Sequence, residues 1–395
     1  MNQDCSCNTE TKSPTSLTQI QPLVSPKSND SEPCCGSPAG PPSSPFEQPG
    51  YKIWGFVDKF IRADSGYIPV VKTRLSLSDI AGTFRARLGM DRNSYKVAPG
   101  LYAVGSPDSD SHVLVTANYK LTFDSLRKEL TNENLWILVL DTRGINVWCA
   151  AGKGSFGTEE VINRVKTAGV EKIVSHRELI LPQFGATGVS AIKVKKGCGF
   201  KVHWGPIQAK DIRNYLKDRN IDDTPMRRVT FTLWERIVLI PVEINISLKY
   251  LLWAAIAGFV LSGIGDNIFS FSESWTRGFI TFVALIGGII GGAILTPTLL
   301  PWLPGRAFSL KGLIPGLAVS IITAIIFWTG VSAIEMLALF LLTLAVSSYL
   351  AMNFTGTTPY TSPTGVEKEM RRAIPLQAAG VVTAIIIWVW SGFIG

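Results

Sequence analysis

Five long apolar segments occupy the C-terminal part of the chain. They run over residues 247–265, 278–300, 312–331, 333–352 and 373–394. Each has close to the ~20 residues that a helix needs to cross a bilayer, and a helix satisfies its own backbone hydrogen bonds in lipid. The sequence therefore predicts an all-α transmembrane domain of five helices over 247–395. An amphipathic juxtamembrane linker over 226–246 is expected to precede it.

Charged residues between these segments predict the orientation. The loops on one side carry the basic residues Arg227, Arg228, Arg236, Lys249, Arg306, Lys311, Lys368, Arg371 and Arg372. The alternate loops carry mainly Asp266, Glu273 and Arg277, and then Glu335. Since basic loops stay inside, we expect a multi-pass protein of the cytoplasmic (inner) membrane, with the N-terminal part in the cytoplasm and the C-terminus outside.

Acidic residues near the spans raise the question of ion transport. Glu243, Asp266 and Glu335 are the acidic residues nearest the membrane. A carboxylate buried within a span would indicate an ion pathway, but all three can reach an interface. A transporter is therefore disfavoured. The net charge of +8 comes without a Lys/Arg-rich block or a nucleic-acid motif, so no nucleic-acid partner is expected.

The first 50 residues are rich in Ser, Pro, Asn and Gly and predict a disordered tail. Two cysteine pairs lie in it, Cys5/Cys7 and Cys34/Cys35. A pair supplies two metal ligands where a structural zinc site needs four, so the pairs are either tail thiols or part of a soft-metal site. The sequence shows no disulfide framework, which predicts a reducing, cytoplasmic compartment. It does not open with a basic start followed by an apolar run, so no cleavable signal peptide is expected.

Residues 51–225 have the pattern of an α/β domain. Short β-rich runs, "HVLVTANY", "LWILVLD", "EKIVSH" and "SAIKVKK", alternate with the helical stretches "TFDSLRKELT", "TEEVINRVKTAG" and "QAKDIRNYLKDR". This alternation predicts a mostly parallel, Rossmann-like sheet covered by helices. Ligands of such sheets bind at the carboxyl ends of the strands. Three loops are expected there, over 116–122, 142–157 and 181–189.

The stretch "GINVWCAAGKGSFG" contains a nucleotide-like glycine pattern. Gly152, Gly154 and Gly157 spell G-x-G-x-x-G, but ten residues separate the first glycine from the preceding strand, whereas the dinucleotide motif places it directly after the strand. A phosphate-binding P-loop would require glycine where Val147 stands and a hydroxyl residue in place of Gly154. The spacing argues against both kinds of nucleotide site.

A short capped helix accounts better for the same stretch. Asn146 is a good N-cap residue, and Gly152 is expected to end the helix. Cys149 then lies in the first turn, where free N–H groups and the helix dipole favour a thiolate, and Lys153 adds positive charge. A thiolate at a cleft is a ligand for a soft or borderline metal. The alternative is a small buried cysteine that packs the loop.

The motif "NVWCAAGK", together with the membrane domain, resembles the corrinoid proteins of microbial mercury methylation. "VLVTANYKLT", "LPQFGATGV" and "GFKVHWGPIQAKDI" are similar to the corrinoid-binding domain of the corrinoid iron–sulfur protein of the acetyl-CoA pathway. The resemblance covers roughly residues 50–395 and leaves out the tail. It implies an α/β corrinoid-binding domain at 51–225.

The resemblance implies a cobalamin-type corrinoid cofactor in its methylcob(III)alamin form, with Cys149 as the catalytic lower ligand of cobalt. A thiolate ligand would favour departure of the methyl group as a carbanion equivalent toward Hg(II). Positions that match the motif or the strand-end loops are then expected to bind the cofactor. They are Thr116, Asn118, Asn146, Val147, Trp148, Cys149, Ala150, Ala151, Gly152, Lys153, Gly185, Ala186, Thr187 and Gly188. Cys198 matches no element of either family.

The implied partners are a small ferredoxin with two [4Fe–4S] clusters as electron donor and a methyl donor linked to methyltetrahydrofolate. The expected activity is therefore a membrane-anchored, corrinoid-dependent methyltransferase that converts Hg(II) to methylmercury. Two alternatives stay open. One is a membrane-bound corrinoid methyl carrier of one-carbon metabolism, and the other is a cofactor-free sensor domain on a membrane anchor.

Overall fold

The computed structural model describes residues 46, 48, 50–63, 66–90, 94–218, 224–354 and 363–394. The tail cysteines Cys5, Cys7, Cys34 and Cys35 lie outside the described residues. Two regions follow one another along the chain, an α/β domain and a bundle of long helices. This architecture confirms the predicted fold class.

Seven strands of the described chain form the sheet of the α/β domain. They are β1 (Val57–Ala63), β2 (Gly66–Val71), β3 (Gly100–Val104), β4 (Val113–Ala117), β5 (Leu135–Leu140), β6 (Glu178–Leu181) and β7 (Lys201–Trp204). Their spatial order is β1-β2-β3-β5-β4-β6-β7. The last four strands in this order run parallel, and β3 pairs antiparallel with β5. Strands β3, β4 and β5 are buried along their whole length, as expected for the centre of a covered sheet.

Helices cover both faces of this sheet. They are α1 (Leu77–Arg87), α2 (Lys120–Arg127), α3 (Val147–Lys153), α4 (Thr158–Thr167), α5 (Val170–Ile173), α6 (Ala191–Cys198) and α7 (Ile212–Lys217). One apolar cluster packs α3, α4 and α6 against the sheet and includes Phe156 and Phe200. A second cluster lies on the other face around Phe123 and Tyr215.

The strand order produces a switch point beside β4. The chain passes from β4 through α2 to β5 on one side, and β6 pairs with β4 on the other side. Only the pair Leu114–Ile180 joins β4 to β6, so the sheet opens beyond it. Crevices of this kind are where doubly wound sheets bind ligands.

Two predicted strands are helices instead. "EKIVSH" forms the end of the short helix α5 and the loop after it, and "SAIKVKK" lies in α6. The alternation of lysine with Ile192 and Val194 imitates a strand. The residues at the two ends of α6 favour a helix over a strand. The Ser190 side chain caps the first turn, and Gly199 ends the helix in a left-handed conformation (φ +79°).

The C-terminal region contains five helices long and apolar enough to span a membrane among the residues described, which confirms the prediction of five spans. They run over Leu233–Ser262, Phe271–Leu299, Phe308–Ile326, Ala333–Asn353 and Gly365–Ser391. The first span comprises α8 (Leu233–Ile237) and α9 (Ile240–Ser262); the second comprises α10 (Phe271–Ile289), a π-helical segment (Ile290–Leu295) and α11 (Thr296–Leu299); the others are α12 (Phe308–Ile326), α13 (Ala333–Asn353) and α14 (Pro363–Ser391).

A buried arginine joins four of these helices at one end of the bundle. Arg277 in α10 pairs with Glu335 of α13 at 2.8 Å. It also donates to the carbonyl oxygens of Ser262 in α9 and Trp388 in α14. The Glu335 carboxylate therefore has a cation partner and also caps α13, which agrees with a structural role and gives no support to ion transport.

Candidate cofactor cleft

A cleft of about 290 Å³ opens at the switch point. Its floor is formed by β4 and β6, its walls by α2 and the start of α7, and its rim by the loop after β7 and the first turn of α3. The lining residues are Leu114, Val115, Leu121, Thr122, Ser125, Leu126, Asn146, Val147, Trp148, Ile180, Leu181, Pro182, Phe184, Gly205, Pro206, Ile207, Gln208, Ala209 and Ile212. All of these side chains are uncharged, so the cleft suits a neutral ligand, or the apolar part of a larger one.

The predicted cap helix is present as α3. The Asn146 side chain accepts a hydrogen bond from the Cys149 N–H at 2.9 Å, which confirms the N-cap. The sequence predicts that the helix ends at Gly152, but it continues through Lys153. It ends at Gly154, because the turn back to Phe156 needs the left-handed conformation that Gly154 adopts (φ +83°).

Cys149 lies in the first turn of α3 and is half-buried. Its neighbours Val147, Ala150 and Ala151 are buried and anchor the helix in the core. Trp148, which precedes it, lines the cleft. Cys149 itself is not among the lining residues; α3 carries it directly after the lining residue Trp148.

A fully buried amide holds the turn that leads into α3. Asn118 follows β4 directly, and its Oδ1 accepts from the backbone N–H groups of Thr142 and Gly144 and from the Thr142 hydroxyl, at 2.9–3.1 Å. Its Nδ2 donates to Asp141 at 3.1 Å. The turn needs this support because Arg143 and Gly144 both adopt positive φ. Asn118 therefore positions the cap helix and does not line the cleft.

A tyrosine hydroxyl extends this network. Tyr51 lies 3.5 Å from the Asn118 amide nitrogen. Burial, and then the neighbouring Asp141 carboxylate, raise the pKa of Tyr51 to about 12. The phenol is accordingly neutral at physiological pH.

The loop after β6 packs closely against the cap helix. A Cβ built on Gly188 would clash with the carbonyl oxygen of Phe156 and would lie 2.9 Å from that of Ala151. A Cβ on Gly185 would lie 2.6 Å from the ring of Phe156. The absence of side chains at these two glycines lets the loop pack closely against α3 and against the turn that follows it.

The fourteen predicted site residues fall into three groups. Asn146, Val147 and Trp148 line the cleft, with Cys149 next to them. A second group is buried behind the cleft, namely Thr116, Asn118, Ala150, Ala151 and Gly185. The others lie around the cap, with Gly152, Lys153, Ala186 and Thr187 exposed and Gly188 half-buried.

Sequence reasoning missed several lining residues. On α2, Leu121 lies inside the predicted 116–122 loop but was not named as a site residue, and Leu126 lies beyond that loop; Gly205–Gln208 follow β7. The only advance sign of the second set was the similarity of "GFKVHWGPIQAKDI" to a corrinoid-binding domain. Phe184 lies inside the 181–189 loop, where its apolar side chain among small residues could have indicated a wall of the site.

Comparison with known proteins places the cleft within a recognised family region. Residues 83–216 match the family model of the CO dehydrogenase/acetyl-CoA synthase delta subunit. This segment contains β3 to β7, the cap helix and the cleft. The helices of the membrane domain lie outside the match.

Curated relatives give the same result. The acetyl-CoA decarbonylase/synthase complex subunit gamma of Archaeoglobus fulgidus is 32% identical over 128 residues, 32% of this chain and 27% of the relative. The gamma subunit of Methanopyrus kandleri is 31% identical over 132 residues, 33% of this chain and 28% of the relative. That of Methanocaldococcus jannaschii is 35% identical over 108 residues, 27% of this chain and 22% of the relative. The matched segment spans about a quarter of the length of these relatives. It makes up about a third of this chain.

Proposed function

We propose that this chain is a membrane-anchored, corrinoid-dependent methyltransferase that forms methylmercury from Hg(II). The observation that carries the proposal is the capped helix α3, which places Cys149 within "NVWCAAGK" directly after Trp148, a lining residue of the uncharged cleft. The similarity of residues 83–216 to an acetyl-CoA synthase subunit family supports the corrinoid part. The motif resemblance supports the mercury part.

The residues of the cleft fit a corrinoid. Its lining combines apolar walls with a few neutral polar groups such as Thr122, Ser125 and Gln208, which suits a macrocycle that carries amide side chains. Between the lining residues Pro182 and Phe184, the Oε1 atom of Gln183 is buried and has no hydrogen-bond partner within the described chain. A corrinoid exceeds a cleft of about 290 Å³, so the remainder would extend beyond it, past the first turn of α3 that carries Cys149.

In this function the chain's own residues fix the ligand geometry. Cys149 would provide a thiolate ligand for the cobalt, Asn146 would hold its helix turn, and Trp148 would form a wall that excludes water. When bound with a thiolate ligand, the methylated corrinoid supplies a methyl group with carbanion character, which a soft electrophile such as Hg(II) accepts. The apolar lining would keep competing proton donors away from that methyl group.

The same function requires partners and a location. A small ferredoxin with two [4Fe–4S] clusters would supply electrons, and a methyl donor linked to methyltetrahydrofolate would supply methyl groups. We place the α/β domain in the cytoplasm and the C-terminus outside the inner membrane, because the basic loop residues predict that sidedness.

A second candidate function is a membrane-bound corrinoid methyl carrier of one-carbon metabolism. It is favoured by the names of the relatives, which are subunits of acetyl-CoA decarbonylase/synthase complexes. The thiol at position 149 distinguishes the two candidates, since a carrier of this type has no need for a thiolate ligand.

The decisive test is the Cys149→Ala variant of the full chain in detergent, loaded with methylated corrinoid and supplied with Hg(II). We expect methylmercury formation to be lost, and a Cys149→His variant to retain part of it because imidazole also binds cobalt. Cys198→Ala is the matched control, since Cys198 is half-buried in α6 and its thiol donates to Val194.

Three outcomes would contradict the proposal. Activity of Cys149→Ala near that of the wild type would exclude the thiolate mechanism. If the wild type made no methylmercury but delivered its methyl group to an acetyl-CoA synthase, the carrier function would replace it. Absence of corrinoid absorbance after loading would remove both candidates.

A further inference from the structure

Helix α1 (Leu77–Arg87) is oriented against the usual pattern. Its exposed side carries large apolar side chains, with Leu77 85%, Ile80 54% and Phe84 65% exposed. Its buried side carries Asp79, which is only 5% exposed. A surface helix ordinarily turns its apolar stripe to the core and its charges to water. The apolar face of α1 therefore needs a partner that the described residues do not supply.

The exposed side chains form one continuous stripe. Leu77, Ile80 and Phe84 follow one another at spacings of three and four residues, which places them on the same face. Ala81 is exposed and Leu88 is half-buried on that same face. Scattered apolar residues on a surface need no explanation, but a stripe along a whole helix marks an interaction site.

The stripe adjoins the membrane domain. The turn that ends α1 contacts the start of α9, because a Cβ built on Gly89 would lie 3.3 Å from Val242 and 3.2 Å from the amide nitrogen of Asn245. These two residues belong to the first candidate span. At the same end of that span, Trp234 of α8 is 72% exposed, and aromatic side chains of this kind favour the lipid headgroup region.

We propose that α1 lies in the bilayer interface and docks the α/β domain onto the membrane surface through Leu77, Ile80 and Phe84. Basic residues support this occupant. Arg85 and Arg87 form the last turn of the helix, and Arg227 and Arg228 are exposed on the approach to the first span. Apolar side chains inserted among headgroups and arginines beside anionic lipids are the two features that hold interfacial helices.

The docked helix would also fix the cleft relative to the bilayer. Asp79 on the buried side of α1 pairs with Lys120 at 2.7 Å, and Lys120 begins α2, which forms one wall of the cleft. The inference depends on the membrane spans and on the exposed stripe, and it does not depend on the chemistry at Cys149.

The test is photo-crosslinking of the full chain in vesicles of mixed phosphatidylcholine and phosphatidylglycerol. The photoreactive amino acid benzoylphenylalanine is introduced at Leu77, at Phe84 or, as the matched control, at Ile192. Ile192 lies on α6 and is 71% exposed, comparable with Phe84. After illumination, lipid adducts of the peptides are measured by mass spectrometry.

We expect lipid adducts at positions 77 and 84, several-fold above those at 192. Equal yields at all three positions would overturn the proposal, because exposure alone would then explain the adducts. Crosslinks from position 84 to residues 1–45, or to a second copy of the chain, in place of lipid would also overturn it and identify the true occupant. Far-UV circular dichroism of each substituted protein verifies that it is folded, and unfolded samples are not scored.

Discussion

Two polar side chains that stand two residues apart after β4 show how differently this domain uses burial. Asn118 and Lys120 are both fully buried. The neutral amide of Asn118 serves backbone groups in the turn before the cap helix. The Lys120 ammonium contacts the carboxylates of Asp79 and Asp124, and Arg127 pairs with the same two carboxylates.

Lys120 and Asn118 differ in how much of the fold depends on their contacts. Lys120 belongs to a cluster of two cations and two carboxylates in which each charge is compensated by the others, so removal of one member leaves a buried charge unpaired. Asn118 carries no charge, and its loss leaves only local backbone donors without a partner. One residue therefore supports the fold of the whole domain, whereas the other supports the geometry of the candidate site.

The largest effect is expected from Lys120→Met. This change leaves two buried carboxylates against the single cation Arg127, and breaking a buried ion pair costs about 3–5 kcal/mol. Urea unfolding of the full chain in detergent, followed by hydrogen exchange of the β4 and β5 amides, measures the loss. Lys128→Met is the control, because the Lys128 side chain is 48% exposed. Equal stability of the two variants would show that the cluster does not support the domain.

A smaller and more local effect is expected from Asn118→Ala. The N–H groups of Thr142 and Gly144 lose their acceptor, at about 1–3 kcal/mol for buried donors. Hydrogen exchange at Gly144 and Cys149 should accelerate while Ile137 in β5 remains protected. The rate of the proposed methyl transfer should fall by a larger factor than the equilibrium constant for folding.

The matched control for this prediction is Asn134→Ala. The Asn134 side chain likewise accepts from a backbone N–H, that of Ser106 at 2.8 Å, but at an exposed site. It should leave the cap helix unchanged. If Asn118→Ala accelerated exchange throughout the sheet, Asn118 would belong with Lys120 and the contrast between them would disappear.

The contrast also shows what the sequence could predict. Local patterns sufficed for α3, whose N-cap Asn146 acts on a residue three positions away, and for the five spans, whose composition alone identifies them. They failed for α6, where alternating Lys and apolar residues imitated a strand although Ser190 and Gly199 cap a helix.

The role of Asn118 was beyond the reach of local patterns. Its amide folds back onto Gly144, 26 positions later in the chain, and only the arrangement of β4 beside β5 brings them together. The sequence therefore indicated that the 116–122 loop mattered and predicted Asn118 as a cofactor contact, but it gave no sign of the hydrogen bonds from Thr142 and Gly144 to Asn118. The inverted burial of Asp79 in α1 is likewise a long-range effect, since its partner Lys120 is 41 positions away.

A third prediction separates steric from polar support of the cap helix. Gly188→Ala adds a Cβ that clashes with the backbone carbonyl oxygen of Phe156 and lies 2.9 Å from that of Ala151, and overpacking of this kind costs about 1–3 kcal/mol. Both obstacles are backbone atoms, so the 182–188 loop or the end of α3 must move to admit the methyl group. Gly55→Ala is the control, since its Cβ would meet nothing within 4 Å and Gly55 is not among the predicted cofactor contacts. Absorbance titration measures the corrinoid affinity of each variant, and Gly188→Ala should bind corrinoid more weakly than the control. Equal affinities would show that the loop does not set the position of α3.

The smallest effect concerns the dependence of the Lys120 cluster on pH. Burial alone would raise the pKa of Asp79, but hydrogen bonds from Lys120 and Ser76 outweigh it and hold the pKa well below the ordinary value of 3.8. A carboxylate whose folded pKa is depressed stabilises the fold fully above its unfolded pKa, and this contribution is lost as the pH falls toward the folded value. Asp79→Asn should therefore be less stable than the wild type at neutral pH, with a gap that narrows only below the ordinary carboxyl pKa.

Unfolding free energies of both proteins across the acidic range measure that gap. The narrowing is expected to be incomplete, because the folded pKa lies so low that Asp79 keeps most of its charge wherever the domain remains folded. Asp58→Asn provides the comparison, since Asp58 is about half exposed and lies 3.7 Å from Lys72, so its gap should be small throughout. A gap for Asp79→Asn that stayed constant into the acidic range would mean that hydrogen-bond geometry, and not charge, joins α1 to α2. Lys120 would then act as Asn118 does, through its hydrogen bonds alone.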